Sequence, residues 1–236
     1  MQRSGWCRGG KLLSMLEQAI ERDPHYGPAL ALAARCHGML AANASAKDVR
    51  IHRREGIDLA RRALQAAPED PVVLASGGFV LGALGEDIEA AISLVDRSLA
   101  LNPSFAHGWF SSGLLRVFAG RPDLGIEHFE TYRRLDPREH HPDLTGIGSA
   151  LFFCRRFDEA AGKLRAALDR APGFAVTYRY LASCYAHMGR LEEARDIVER
   201  LRGITPLVVP GVVPFRNPED RELFLSGLRL AAGETT

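Results

Sequence analysis

The sequence predicts an all-α fold: antiparallel helix pairs stacked in series into a solenoid and closed by a C-terminal capping helix. Three observations predict it. Six prolines, Pro24, Pro68, Pro103, Pro137, Pro172 and Pro206, recur at spacings of 44, 35, 34, 35 and 34 residues, and a period near 34 marks a helix-turn-helix repeat. Small residues keep that register: Ala34, Gly78, Gly113, Gly148 and Ala182 follow the prolines, and Gly56, Ala91, Gly125, Ala160 and Ala194 precede the next ones. At such positions two helices approach closely and a larger side chain would wedge them apart. Bulky apolar residues hold the register as well, with Leu30, Leu74, Trp109, Leu144 and Tyr178 opening first helices and Leu16, Val95, Phe129, Leu164 and Val198 inside second helices. Each proline follows the end of a helix because it cannot continue one.

In chain order, residues 1–10 are short and glycine-rich and are expected to be a flexible N-terminus. Residues 11–206 form one continuous repeat domain, a half repeat followed by five helix pairs. The half repeat, residues 11–22, puts Leu12, Leu16, Ala19 and Ile20 on its packing face without a first helix to cover them. That raw apolar edge is expected to pair with a second chain, to fray, or to be covered by an upstream part of a larger architecture. Ten extra residues fall between Pro24 and Pro68, around Ala41-Ala-Asn-Ala-Ser-Ala-Lys47. The long helix after them, from about Asp48 to Ala66, begins basic with Arg50, His52, Arg53 and Arg54. It reads as a solvated extension, with a docking site for an acidic partner as the alternative. Residues 207–236 are an extended linker and a cap. Pro210 and Pro214 prevent a helix, and Asn217 then caps one that starts at Pro218 with Glu219 and Asp220 at its positive end. Leu223, Phe224, Leu228 and Ala231 face the repeats as a lid.

This pattern resembles the tetratricopeptide repeat. The fullest copy runs from Ala175 to Pro206, where Tyr178, Leu181, Ala182, Tyr185, Gly189, Ala194 and Pro206 all match, and Ala106 to Pro137 follows with Trp109, Gly113, Gly120, Phe129 and Pro137. The resemblance implies a right-handed solenoid whose first helices line a concave groove. The ending, Pro214-Phe-Arg-Asn-Pro-Glu-Asp220 and Leu225-Ser-Gly-Leu-Arg-Leu-Ala231, is similar to the C-terminal tails of bacterial regulators that carry a class III adenylate/guanylate cyclase or a winged-helix domain upstream. A cyclase domain needs two metal-binding aspartates on a sheet, and here every such stretch is repeat. The chain is therefore not expected to be an enzyme.

Composition sets further bounds. The formal net charge of the 236 residues is +1, so nothing calls for nucleic acid or an anionic membrane. No apolar run nears the ~20 residues needed to span a bilayer. Cys7, Cys36, Cys154 and Cys184 show no CxxC spacing, and a reducing cytoplasm is the simplest home. Glu139-His-His-Pro-Asp143 is the one dense set of metal-ligand types, but adjacent histidines do not converge easily on one ion, and it reads as a loop and helix start. No metal, cofactor or catalytic group is expected.

The functional surface is then the groove, and carrying the family's groove positions onto this chain gives Ala31, Arg35, Ala75, Phe79, His107, Phe110, Leu114, Phe118, Thr145, Ser149, Phe152, Phe153, Arg179, Ser183 and His187. A protein or peptide is expected to lay its apolar face on the phenylalanines while Arg179 meets a carboxylate. The alternative is that the phenylalanines face neighbouring helices. Function is expected to be that of an interaction or regulatory module, the tail of a cyclase-like protein or a free-standing adaptor, with a small-ligand sensor as the third reading.

Overall fold

A computed structural model describes residues 6–42, 46–137 and 141–234. The described residues form twelve helices and no strand: α1 (Trp6–Arg22), α2 (Gly27–Ala41), α3 (Ala46–Ala66), α4 (Pro71–Ala83), α5 (Ile88–Leu101), α6 (Ala106–Phe118), α7 (Pro122–Leu135), α8 (His141–Phe153), α9 (Phe157–Arg170), α10 (Ala175–His187), α11 (Leu191–Arg202) and α12 (Pro218–Ala232). The fold class is all-α, as the proline period predicts. One helix boundary differs from the sequence reading: α1 begins at Trp6 instead of near residue 11, because glycine lowers helix propensity without forbidding a helix. By their internal packing the residues group into two compact units, Met1–Leu115 and Arg116–Thr236.

In the N-terminal unit α2 packs on α3 and on α4, and α4 packs on α5. Close approach depends on the small residues. A Cβ on Gly78 would lie 2.9 Å from the Ala91 carbonyl oxygen and 3.0 Å from Leu94 Cβ. Ala34, Ala60, Ala63, Val73 and Val80 are fully buried where α2, α3 and α4 meet. On α1, Ile20 packs against the Leu30 and Val73 cluster, while Leu12 and Met15 remain exposed. The C-terminal unit repeats the arrangement. There a Cβ on Gly148 would lie 2.7 Å from Leu164 Cγ, and Phe129, Leu164, Leu181 and Leu201 are fully buried.

Four first helices, α4, α6, α8 and α10, end alike. The amide of Glu86 donates to the Leu81 carbonyl, Arg121 to Arg116, Arg156 to Leu151 and Arg190 to Tyr185, at 2.8–3.0 Å. This is the Schellman closure, which needs a left-handed residue just past the helix. Gly85, Gly120 and Gly189 supply it with φ of 100°, 78° and 75°, and Arg155 adopts it at 58°. Second helices begin on side-chain caps where the sequence offers them, as Asp87 Oδ1 accepts from the Glu89 and Ala90 amides. The opening aromatic of a first helix ties back to the repeat proline: Trp109 Nε1 donates to the Pro103 carbonyl, and Tyr178 Oη to that of Pro172, each at 2.9 Å.

Two substitutions test this construction. Gly78→Leu should cost about 1–3 kcal/mol through overpacking against the Ala91 backbone, read as a lower urea midpoint; an unchanged midpoint would mean the register is misassigned. Arg155→Gly should stabilise by roughly 1 kcal/mol, because the left-handed conformation strains any residue with a Cβ. A loss of stability there would show that the arginine side chain matters more than its backbone.

Candidate functional site: the first-helix faces

The first helices place the predicted groove residues on two faces, one in each unit. In the C-terminal unit the face of α8 and α10 is covered by the chain's own residues 205–232. Arg179 is buried; its Nε donates to the Val208 carbonyl at 3.2 Å and its Nη2 to that of Leu207 at 2.8 Å. Burial pulls this arginine down to about 10. Ser183 Oγ donates to the Phe224 carbonyl at 3.2 Å. His187 Nε2 lies 2.7 Å from the Leu223 carbonyl, a contact in which Nε2 carries a proton and donates it. The amide of Arg216 donates to the Phe118 carbonyl at 2.8 Å.

Apolar contact completes the cover. Phe215 is buried, with its ring centroid 4.7 Å from Phe153 and 5.3 Å from Phe224, and it also meets Phe118 and Tyr180 edge-on. Phe152 touches Phe224 and His187 from below. Helix α12 comes so near α10 at Gly227 that a Cβ there would sit 2.1 Å from Ser183 Oγ. The cap itself matches the sequence reading, with Asn217 Oδ1 accepting from the Glu219 amide at 2.9 Å and Phe224, Leu228 and Ala231 buried. What the sequence reading did not foresee is where the lid lies. Arg179 holds backbone carbonyls of this chain instead of awaiting a partner's carboxylate, and Phe152 and Phe153 face neighbouring aromatic rings. Thr145 and Ser149 are buried too, Thr145 sharing a 2.8 Å hydrogen bond with Thr177 of α10.

The face of the N-terminal unit differs. Ala31 and Ala75 are buried, and Arg35 rises between α2 and α4 with its guanidinium carbon 4.9 Å over the Phe79 ring. Its Nη1 donates to Ser111 Oγ at 3.3 Å. Burial pulls Arg35 down to about 10, well above neutrality, so it stays charged. His107 stacks on Phe110 with centroids 5.8 Å apart. Burial, and then the charge of Arg35, hold His107 down to about 4, so it is a neutral ring at physiological pH. Phe110 is buried, whereas Phe79 and Leu114 are half-buried.

The basic start of α3 is partly engaged: Arg53 Nε donates to the Leu84 carbonyl, Arg54 pairs with Glu55 at 3.0 Å, and His52 Nδ1 lies 3.2 Å from His37 Nδ1. Glu139 and His140 lie outside the described residues, and Asp143 Oδ2 is 4.0 Å from Arg133 Nε. Among the described residues no three of His, Cys, Asp and Glu gather to hold a metal ion, and no helix is long and apolar enough to cross a membrane.

Residues 155–207 match the family model of the tetratricopeptide repeat. Solved structures extend the likeness. A tetratricopeptide repeat protein from Parabacteroides merdae aligns with 97% of this chain and 83% of its own at a TM-score of 0.58 and 15% identity. TTC0263, a thermophilic tetratricopeptide repeat protein of Thermus thermophilus, aligns with 76% of this chain and 92% of its own at 0.59 and 21% identity. A chain of the Cut9–Hcn1 hetero-tetramer of the APC/C aligns over 94% of this chain and 40% of its own, with a TM-score of 0.63 and 16% identity. The chain has the tetratricopeptide-repeat fold. Comparison with curated proteins finds no match.

The depressed His107 gives a pH test. An unfolded histidine titrates near ~6.5, so as pH falls from there toward about 4 the unfolded chain takes up a proton that the folded one refuses. Stability is full above the unfolded value and declines through this window, by on the order of 3 kcal/mol at most, less for the part of the ring that solvent reaches. His107→Gln should flatten that part of the urea-midpoint profile relative to the parent; an equal acid decline in both would mean His107 is not held neutral.

Proposed function

We propose that this chain is a non-catalytic polypeptide-binding module. The observation that supports the reading best is the cover of α10, where Arg179, Ser183 and His187 hold four backbone carbonyls of an extended segment and a helix. Aromatic rings of α6, α8 and α10 take Phe215 at the same time. A first-helix face of this sequence thus has the chemistry to recognise main chain and apolar side chains together. In the C-terminal unit the chain fills that role for itself. The face carrying Arg35, Phe79, His107, Phe110 and Leu114 is the one assigned to a protein or peptide partner.

A finer reading makes the chain the regulatory tail of a cyclase-like or winged-helix protein, and it rests on the sequence of the ending from Pro214 to Ala231. A free-standing adaptor accounts for the same fold equally well. The coding sequence upstream of Met1 separates the two. Cys36 and Cys184 are free and buried, which accords with a reducing cytoplasm. The exposed Leu12 and Met15 on α1 belong to the same reading, as an edge through which two chains can pair; sedimentation of the parent against Leu12→Lys with Met15→Lys tests that pairing.

The central test is affinity capture from the cell of origin, with the full chain and with Phe79→Ser as bait. Defined partners retained by the parent and lost by the variant are the expected result. Failure of the parent to retain any protein above the level of an unrelated helical bait would overturn the binding role.

A further inference from the structure

Arginine is costly to desolvate, and the surface arginines of this chain show how the cost is ordinarily met. Arg61 pairs with Glu86, Arg97 with Glu69, Arg156 with Glu159 and Arg190 with Glu193. Buried Arg179 meets it with two carbonyl oxygens. Arg35 is different. It is half-buried and desolvation pulls it down to about 10, yet among the described residues no carboxylate lies within ion-pairing distance of it. Its hydrogen-bond partner is the neutral Ser111 hydroxyl, and its face rests on the Phe79 ring. A guanidinium has five N–H donors in a fork that fits a carboxylate edge-on, and Ser111 takes one.

The surroundings narrow the ligand further. His107 is neutral, so a single positive charge faces the site, which suits one carboxylate; groups that recognise phosphopeptides use clusters of arginines. Arg53, on α3 in the same unit, is held at the Leu84 carbonyl. Beside the charge lie apolar surfaces, the half-buried Phe79 and Leu114, and small residues at Ala31 and Ala75. In such partly dry surroundings an incoming carboxylate is worth more than on open surface, because Arg35 has already lost much of its water.

We propose that the face of α2, α4 and α6 in the N-terminal unit binds a peptide segment of another protein through an acidic side chain that pairs with Arg35, with a neighbouring apolar side chain seated on Phe79. This rests on the polypeptide-binding reading above and names the chemistry of the partner. It also moves the anion anchor from Arg179, where the sequence analysis had put it, to Arg35.

The experiment pans a random-peptide phage library on the full chain and measures the selected peptides by fluorescence anisotropy. The selected sequences should share an Asp or Glu next to an apolar residue. Replacing that acid by its amide should weaken binding about tenfold or more to the parent protein and little to Arg35→Gln, with Arg35→Lys intermediate. The amide arm uses the unaltered protein, so it decides the question even if a variant folds poorly. Peptides selected without a shared acid, or an acid whose amide binds Arg35→Gln and the parent with the same relative loss, would overturn the assignment to Arg35 while leaving the binding role standing. Selection of no peptide at all would count against both.

Discussion

Everything in this molecule depends on how closely the two helices of a pair can approach. Gly78 and Gly148 leave less than 3.0 Å between a would-be Cβ and the opposing helix, and Ala34 and Ala182 are fully buried at the corresponding positions. Close pairing brings Val95, Phe129, Leu164 and Val198 into complete burial and lets each pair form a slab with two usable faces. The second helix turns charged residues outward. The first helix is left with a face that only another element, or a partner, can cover.

The two units meet that requirement in different ways. In the C-terminal unit the chain covers the face itself. Two prolines keep residues 207–216 extended, so their carbonyls stay unused by any helix and become available to Arg179. Phe215 then enters an aromatic cluster, and Asn217 restarts a helix that lies against Ser183 and His187. In the N-terminal unit, the face instead holds a charged guanidinium over an aromatic ring, beside an imidazole kept neutral by burial and by that charge. One face resembles a finished core, and the other leaves a charged group and an aromatic ring half-buried.

Much of the fold was legible in the sequence because a repeat writes the same constraint several times. The proline period placed the helix ends, the small residues placed the crossings, and Asn217-Pro218 placed the start of the cap. The start of α1 was misplaced because glycine content argues only about propensity, and a helix already formed can run on through glycines at modest cost. The site was legible only in part. Groove positions could be carried over from the repeat, but whether a residue on them meets solvent depends on a segment about thirty residues away in sequence, as with Arg179 and Val208. Arg35 was named as one groove residue among many. Its particular state arises from what is missing around it in space, and a sequence records neighbours along the chain alone.

The central claim is that a first-helix face of this protein holds polypeptide by main-chain hydrogen bonds, with the C-terminal segment as its occupant in the C-terminal unit. Hydrogen exchange of the full chain measures this directly. The account predicts that the amides of α12 and of Arg216 are protected to the same degree as those of α10 and open together with them. Rapid exchange throughout residues 205–232, with α10 still protected, would contradict it.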